Sequence, residues 1–153
     1  SPIYAADYKI GYVDLSKILN ESPAAKAAQK KLEQEFTPRN KQLEAQAKKL
    51  NAKREKLQKE AEIMSGDQIE SLKRKIVKSE RDLQRDAKEA QEDFKLRRRD
   101  ELGKIENRLK EVILSVAESG NYDMIFTNSD VTYASDKSGI NITEKVLKKF
   151  NSK

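Results

Sequence analysis

The fold of this chain is decided by one charged stretch, residues 36–64, which reads FTPRNKQLEAQAKKLNAKREKLQKEAEIM. An apolar side chain recurs at every seventh position of the stretch. These positions hold Phe36, Leu43, Leu50, Leu57 and Met64. A seven-residue apolar period on a background of Lys, Glu and Ala places one narrow seam along an α-helix. Such a seam can pair with one other helix, as in a coiled coil, but it is too narrow for a globular core.

The segment after this stretch predicts the partner helix. Ser65-Gly66-Asp67 interrupts the pattern, and we expect Gly66 to take a left-handed C-terminal position while Asp67 and Glu70 form a capping box. A second apolar row follows the interruption. Its members are Ile69, Leu72, Ile76, Leu83, Ala87, Ala90 and Phe94. Because the two rows mirror each other about the interruption, we predict an antiparallel helical hairpin with its tip at residues 65–67.

The outward helix of the hairpin has a clear start, and each of the two helices has one weak point near the root. Ser22 can cap the helix, and Pro23 fits the first helical position. Pro38 lies inside the pattern and should kink the helix at a cost of about 3 kcal/mol. Gly103 weakens the return helix, which ends at Gly120, by about 1 kcal/mol. We therefore assign Pro38 and Gly103 as hinge residues.

The two ends of the chain are β-prone, unlike the middle. Residues 8–14, 123–127 and 131–134 favour strands, and the last two flank Asn128-Ser129-Asp130, which predicts a β-hairpin with a three-residue turn. These few strands make a poor core. Because small domains of this kind hide apolar surface and strand edges in a partner copy, we predict a homo-oligomer.

We assign residues 1–22 and 104–153 to a body and residues 23–103 to a helical arm. The body ends in a predicted helix, with Thr143 as its cap and Ile142 and Leu147 as a hydrophobic staple. Six apolar residues of the ends are assigned to the core and the subunit interface, the alternative being a ligand pocket. They are Ile10, Tyr12, Met124, Phe126, Val131 and Tyr133.

Composition narrows the classes of function. The 153 residues include 32 Lys and Arg, 26 Asp and Glu, no His and no Cys. Zinc sites built on thiolate or imidazole, Ser-His-Asp and Cys-His catalysis, and disulfides are therefore excluded. The five glycines form no phosphate loop, and the paired carboxylates lie on a charged helical surface. We predict neither an enzyme nor a cofactor, and we interpret the chain as cytosolic or as a mature form whose signal peptide was removed.

The ends also carry a family resemblance. Residues 9–14, followed by Lys17-Ile18-Leu19, are similar to the start of the Skp/OmpH family of periplasmic outer-membrane-protein chaperones. Later segments of the chain are similar to the C-terminal part of the same family. These are residues 103–117, 122–126, 133–134 and 142–148. The resemblance implies an α+β fold and a homotrimer, in which three hairpin arms hang from a small β-strand body like the tentacles of a jellyfish.

The resemblance also implies a function. Members of the family are ATP-independent holdases of the periplasm, which keep unfolded outer-membrane β-barrel proteins from aggregating in the cavity between their arms. Residues 23–64 hold 11 basic and 6 acidic side chains, so the arm could attract such clients by charge. The alternative is that these are ordinary solvated faces of a coiled coil.

Three further alternatives remain open. Arg97, Arg98 and Arg99 could contact an anion such as a lipopolysaccharide phosphate, or they could pair with Glu33 and Glu35 across the hairpin. A pI of about 9.3 allows non-specific nucleic-acid binding by clustered lysines and arginines, as in a histone-like protein. A coiled-coil adaptor that joins two folded partners is the other rival class.

Overall fold

A computed structural model describes residues 7–127 and 131–152 of the chain. By its internal contacts the chain divides into a body unit, residues 1–30 with 99–153, and a hairpin unit, residues 31–98. The structure is mostly helical. Its elements are β1 (Ile10–Val13), α1 (Leu15–Glu21), α2 (Pro23–Glu60), a 3-10 turn (Ala61–Ile63), α3 (Gly66–Ser119), β2 (Met124–Thr127) and α4 (Thr143–Asn151).

The sheet of the body unit is parallel, and the predicted β-hairpin is wrong. β2 pairs with β1, so that Ile10 lies opposite Met124. Residues 131–134 form no strand, and the predicted turn at residues 128–130 lies outside the described residues. The physical reason lies in the other edge of β1. There the Tyr12 N–H donates to the Ile140 carbonyl over 2.7 Å, so the segment after β2 returns to β1.

The core of the body unit is built mainly from helices. Its buried cluster consists of Val13, Ile18, Ile105, Leu109, Val112, Val116, Ile142, Val146, Leu147 and Phe150. None of the six residues predicted for the core and the subunit interface belongs to this cluster, and their assignment stays a prediction. Successive strand residues point to opposite faces of a sheet. Gly11 and Val13 are buried, whereas Ile10 is exposed and Tyr12 half-buried on the other face.

Side-chain caps mark the starts of the first two helices, α1 and α2. α1 was not predicted. It is capped by Asp14, whose Oδ1 accepts a 3.0 Å hydrogen bond from the Lys17 N–H. Ser22 then caps α2, because its fully buried Oγ accepts a 3.2 Å hydrogen bond from the Ala25 N–H. The predicted cap of α2 is thereby confirmed.

The predicted cap of α4 is wrong. Thr143 is the first residue of α4 and is buried, with no side-chain cap at the residue before it. Its backbone N–H and its hydroxyl both donate to Asn141 Oδ1, at 3.1 and 2.6 Å. The same hydroxyl accepts a 2.9 Å hydrogen bond from the Asp14 N–H. Thr143 therefore ties the start of α4 to the start of α1.

The tip of the hairpin is made differently from the prediction. Ser65 and Gln68 form a reciprocal capping box, with hydrogen bonds of 2.9 Å from the Ser65 N–H to Gln68 Oε1 and of 3.1 Å from the Gln68 N–H to Ser65 Oγ. Gly66 is the first residue of α3 and does not have a positive φ. The predicted left-handed Gly66 and the box of Asp67 and Glu70 are wrong, because the Ser65 hydroxyl starts the helix two residues earlier.

Candidate functional site

Cross-helix contacts fix the register of the hairpin unit. Three of the contacting pairs are Phe36–Phe94, Gln46–Asp86 and Arg54–Glu80. The rings of the first pair lie 5.2 Å apart at 87°, and the hydrogen bonds of the other two measure 3.0 and 2.6 Å. The residue numbers of the pairs average 65, 66 and 67. The helices therefore run antiparallel about the tip, in agreement with the mirrored apolar rows of the sequence.

The half of the seam nearer the tip is an apolar cluster. Leu50, Leu72 and Ile76 are buried in it. The partly buried residues packed against them are Leu57, Met64 and Leu83. Burying one such side chain contributes about 1.5–3 kcal/mol. This small cluster holds the distal part of the two helices together.

The half of the seam nearer the root is packed less tightly. Phe36 is buried against Phe94 in an edge-to-face contact, which is worth about 0.5–1.5 kcal/mol beyond the buried area. Beside the rings runs a groove of about 440 Å³, lined by Leu43 and by the small side chains of Ala87 and Ala90. The small residues opposite Leu43 leave this groove unfilled.

A polar layer separates the two halves of the seam. The Gln46 amide donates to Asp86 Oδ2, and Arg85 donates to Asp86 Oδ1 over 3.2 Å. The hydrogen bond from Gln46 and the Arg85 guanidinium lower the pKa of Asp86 from its ordinary 3.8, while burial opposes them. Among the described residues, Gln46 Oε1 is buried without a hydrogen-bond partner. The apolar periodicity of the sequence does not reveal this layer, because both Gln46 and Asp86 are polar.

The arginine run is partly engaged within the hairpin unit. Arg97 holds Glu35 with two hydrogen bonds of 2.9 and 3.0 Å, which is the cross-helix pairing weighed against an anion site. Arg98 and Arg99 are exposed. An anion contact by these two residues stays a prediction.

Scattered apolar side chains interrupt the charged surface of the hairpin unit. Ile63 at the tip is 85% exposed, Leu96 is 56% exposed and Val77 is 45% exposed. Ile63 and Met64 border a concavity of about 550 Å³ that also carries Lys56 and Lys75. Each apolar residue therefore lies open to solvent near cationic side chains, and the surface offers many small contact points instead of one pocket.

The six predicted interface residues gather on the open face of the parallel sheet in the body unit. Five of them line one groove of about 370 Å³. These are Ile10, Tyr12, Phe126, Val131 and Tyr133. Tyr133 is 81% exposed, and Met124 beside the groove is 52% exposed. A contiguous exposed apolar surface of this kind is typical of an interaction site.

The two predicted hinge residues lie within long helices. α2 continues through Pro38, and the hydroxyl of the preceding residue, Thr37, donates a 2.6 Å hydrogen bond to the Glu33 carbonyl one turn earlier. Gly103 lies inside α3, and a β-carbon placed on it would meet no atom within 4 Å. No packing contact requires glycine there. The role of both residues as hinges stays a prediction.

Two features are absent from residues 7–127 and 131–152. No group of three or more Asp and Glu side chains in these ranges could hold a metal ion. In the same ranges, no helix combines the length and the apolar character that crossing a membrane requires.

A helical hairpin with a single apolar seam and a small α+β unit with an open apolar groove define a class of two-unit α+β proteins. Within that class, the chain belongs to the OmpH-like outer membrane protein family, because the family model "Outer membrane protein (OmpH-like)" matches residues 9–150. The resemblance seen in the sequence is thereby confirmed.

Relatives of known name support the same family. The chain is 32% identical over 144 residues to "Chaperone protein Skp" of Photorhabdus laumondii, covering 94% of this chain and 86% of that protein. It is 30% identical over 140 residues to "Chaperone protein Skp" of Yersinia enterocolitica, covering 92% and 84%. An OmpH-like outer membrane chaperone from Caulobacter crescentus has the same fold, with a TM-score of 0.82 at 16% identity over 99% of this chain and 87% of that chain.

Proposed function

We propose that this protein is an ATP-independent holdase of the periplasm, which binds unfolded outer-membrane β-barrel proteins and prevents their aggregation. One observation carries the proposal beyond the family. The hairpin unit buries apolar residues in a single seam. Three others, Ile63, Val77 and Leu96, are exposed on its charged surface. Such a surface suits chains that have no fixed shape.

Binding by this surface is multivalent. Each exposed apolar side chain contributes part of the roughly 1.5–3 kcal/mol that full burial would give, and each exposed ion pair contributes about 0–1 kcal/mol. Contacts this weak hold a chain only when many act together at high effective concentration. Replacing one exposed residue should therefore change client affinity little.

The body unit provides the assembly in this proposal, which is a homotrimer with its clients between the arms. Two features support an interface there. The groove around Tyr12 and Phe126 is open and apolar. Among the described residues, β1 is the only strand paired with β2, so the other edge of β2 is available to a neighbouring copy. The predicted boundaries of body and arm, at residues 22–23 and 103–104, are part of the same proposal.

An aggregation assay tests the holdase function. A urea-unfolded outer-membrane β-barrel protein is diluted into buffer with and without this protein, and light scattering is followed without nucleotide. We expect scattering to be suppressed at a few chains of this protein per client, and added ATP to change nothing. Unchanged aggregation of the client would contradict the proposal. The nucleic-acid-binding and adaptor alternatives are not favoured, because the relatives are chaperones.

A further inference from the structure

One exposed face of α3 carries a dense row of cations. We call it the basic groove, a concavity of about 490 Å³ whose lining includes Asp82. Its other lining residues are Lys73, Arg74, Val77, Lys78, Arg81 and Arg85. Buried Leu72 and Ile76 lie on the opposite side of the same helix and face the seam. The groove therefore contributes nothing to holding the two helices together.

Three cations of the basic groove are not neutralised by the protein itself. Arg85 is paired with Asp82 at 3.4 Å and with Asp86 at 3.2 Å. Arg74, Lys78 and Arg81, by contrast, are exposed and form no hydrogen bond or ion pair within residues 7–127 and 131–152. Like charges so close together repel one another, and a ligand with carboxylates would relieve that repulsion.

The spacing of two of these cations, Arg74 and Lys78, is close to the repeat of an extended polypeptide. Arg74 and Lys78 are one helical turn apart, a rise of about 6 Å, and Arg81 follows after about 4.5 Å. Alternate residues of an extended chain lie on the same side of it and repeat about every 6.7 Å. Val77 is 45% exposed in the same groove and offers an apolar contact between the charges. A flat surface, such as a lipid bilayer, cannot enter this concavity as an extended chain can.

We propose that the basic groove binds extended segments of unfolded polypeptide that carry carboxylates at alternate positions. The inference rests on the proposed holdase function and assigns part of client recognition to one face of α3. It distinguishes this local site from the general attraction of a basic protein for acidic chains.

Two variants with the same change in net charge test the inference. The groove variant carries Arg74→Glu, Lys78→Glu and Arg81→Glu. The control variant carries the same replacement at three exposed lysines of α2. These are Lys41, Lys48 and Lys49. Circular dichroism checks that both remain helical, and a milder groove variant with Gln at the three positions covers the case of misfolding.

The probe is a fluorescein-labelled peptide of about 12 residues in which Glu and Val alternate. Its binding is measured by fluorescence anisotropy at about 0.15 M salt. We expect about tenfold weaker binding by the groove variant, less than about threefold by the control, and an intermediate loss by the Gln variant. Equal losses in the groove and control variants, or no loss in either, would overturn the proposal.

Two further measurements separate this inference from its rivals. If the groove substitutions weaken binding to anionic phospholipid vesicles or to duplex DNA but not to the peptide, the site belongs to those ligands and the proposal fails. The aggregation assay is run on all variants. If the unmodified protein does not prevent aggregation of an unfolded β-barrel protein, the proposed function is contradicted. If the groove variant prevents aggregation of the client as well as the control variant does, only the assignment of the groove is contradicted.

Discussion

The side-chain amide of Gln46 on α2 donates a 3.0 Å hydrogen bond to the carboxylate of Asp86 on α3. This pair places a polar layer inside an otherwise apolar seam. A single polar position in a coiled coil fixes register at a cost in stability. Because Gln46 Oε1 is buried and unpaired among the described residues, the layer specifies how the two helices align more than it stabilises them.

Replacing both members of the layer should therefore strengthen the hairpin. We expect the double variant Gln46→Leu and Asp86→Leu to raise the free energy of unfolding by about 1 kcal/mol, because it removes an unsatisfied acceptor and continues the seam. Urea denaturation followed by circular dichroism measures the change. Gln42→Leu, at an exposed position of α2, is the control and should stay within about 0.5 kcal/mol. A less stable double variant would show that the layer is a net stabiliser.

The layer also makes stability depend on pH. The pKa of Asp86 is lowered, first by the Gln46 amide and then by Arg85, so its stabilising effect is complete above its ordinary pKa of 3.8 and is lost as pH falls through the lower folded value. The difference in stability between the unmodified protein and Asp86→Asn should be constant above this pH and shrink below it. In Gln46→Leu, carboxyl NMR should show the pKa of Asp86 moving back up. An unshifted pKa in that variant would remove Gln46 as the cause.

The capping box at the tip predicts an asymmetric response to substitution. Ser65→Ala should lower stability by about 1 kcal/mol, since Ser65 Oγ accepts the hydrogen bond from the Gln68 N–H. Glu70→Gln, at the position expected from the sequence to complete a box with Asp67, should change stability by less than about 0.5 kcal/mol. Thermal unfolding followed by circular dichroism compares the two. Equal costs would move the start of α3 back to the position first predicted.

Two glycines should respond in opposite ways to alanine. Gly103→Ala should stabilise α3 by about 1 kcal/mol, because nothing lies within 4 Å of the new β-carbon. Gly120→Ala should destabilise the body unit, because its β-carbon would lie 2.5 Å from the ring of Tyr122. Calorimetry measures both. A stabilising Gly120→Ala would mean that Tyr122 moves aside without cost.

Local patterns predicted the long-range pairing of the helices but not that of the strands. The mirrored rows that include Leu50 and Leu83 carry the hairpin register in their own spacing. The partner of β2 is β1, more than a hundred residues away, and nothing in residues 123–134 indicates it. The turn-like residues Asn128-Ser129-Asp130 favoured a local hairpin instead.

The sequence also does not show which face of a strand is buried. Ile10 is as apolar as Val13, yet Val13 is buried and Ile10 is exposed. Alternation alone cannot say which face the helices cover when both faces are apolar. In the sequence, the basic groove is only a cluster of charged residues. The structure shows that Arg74, Lys78 and Arg81 share one face without acidic partners.

Loosening the seam should impair holding without affecting assembly. Leu50→Ala combined with Leu83→Ala removes apolar contacts from the tip half of the seam. Truncating the buried Leu50 costs about 2–5 kcal/mol, and truncating the partly buried Leu83 costs less. We expect lower helicity, weaker suppression of client aggregation and an unchanged oligomer mass. Leu114→Ala, at an exposed position of α3 in the body unit, is the control. Loss of the oligomer in the double variant would contradict the division of labour between body and arm.

The central claim is that the protein holds one unfolded client as a trimer. A urea-unfolded outer-membrane β-barrel protein is diluted into it at about 0.15 M salt, and the mass of the soluble complex is measured by chromatography with light scattering. We expect a peak at three chains of 17.5 kDa, or 52.5 kDa, plus one client chain. Precipitated client with this protein eluting alone would contradict the holdase function, and elution as a monomer would contradict the assembly as well.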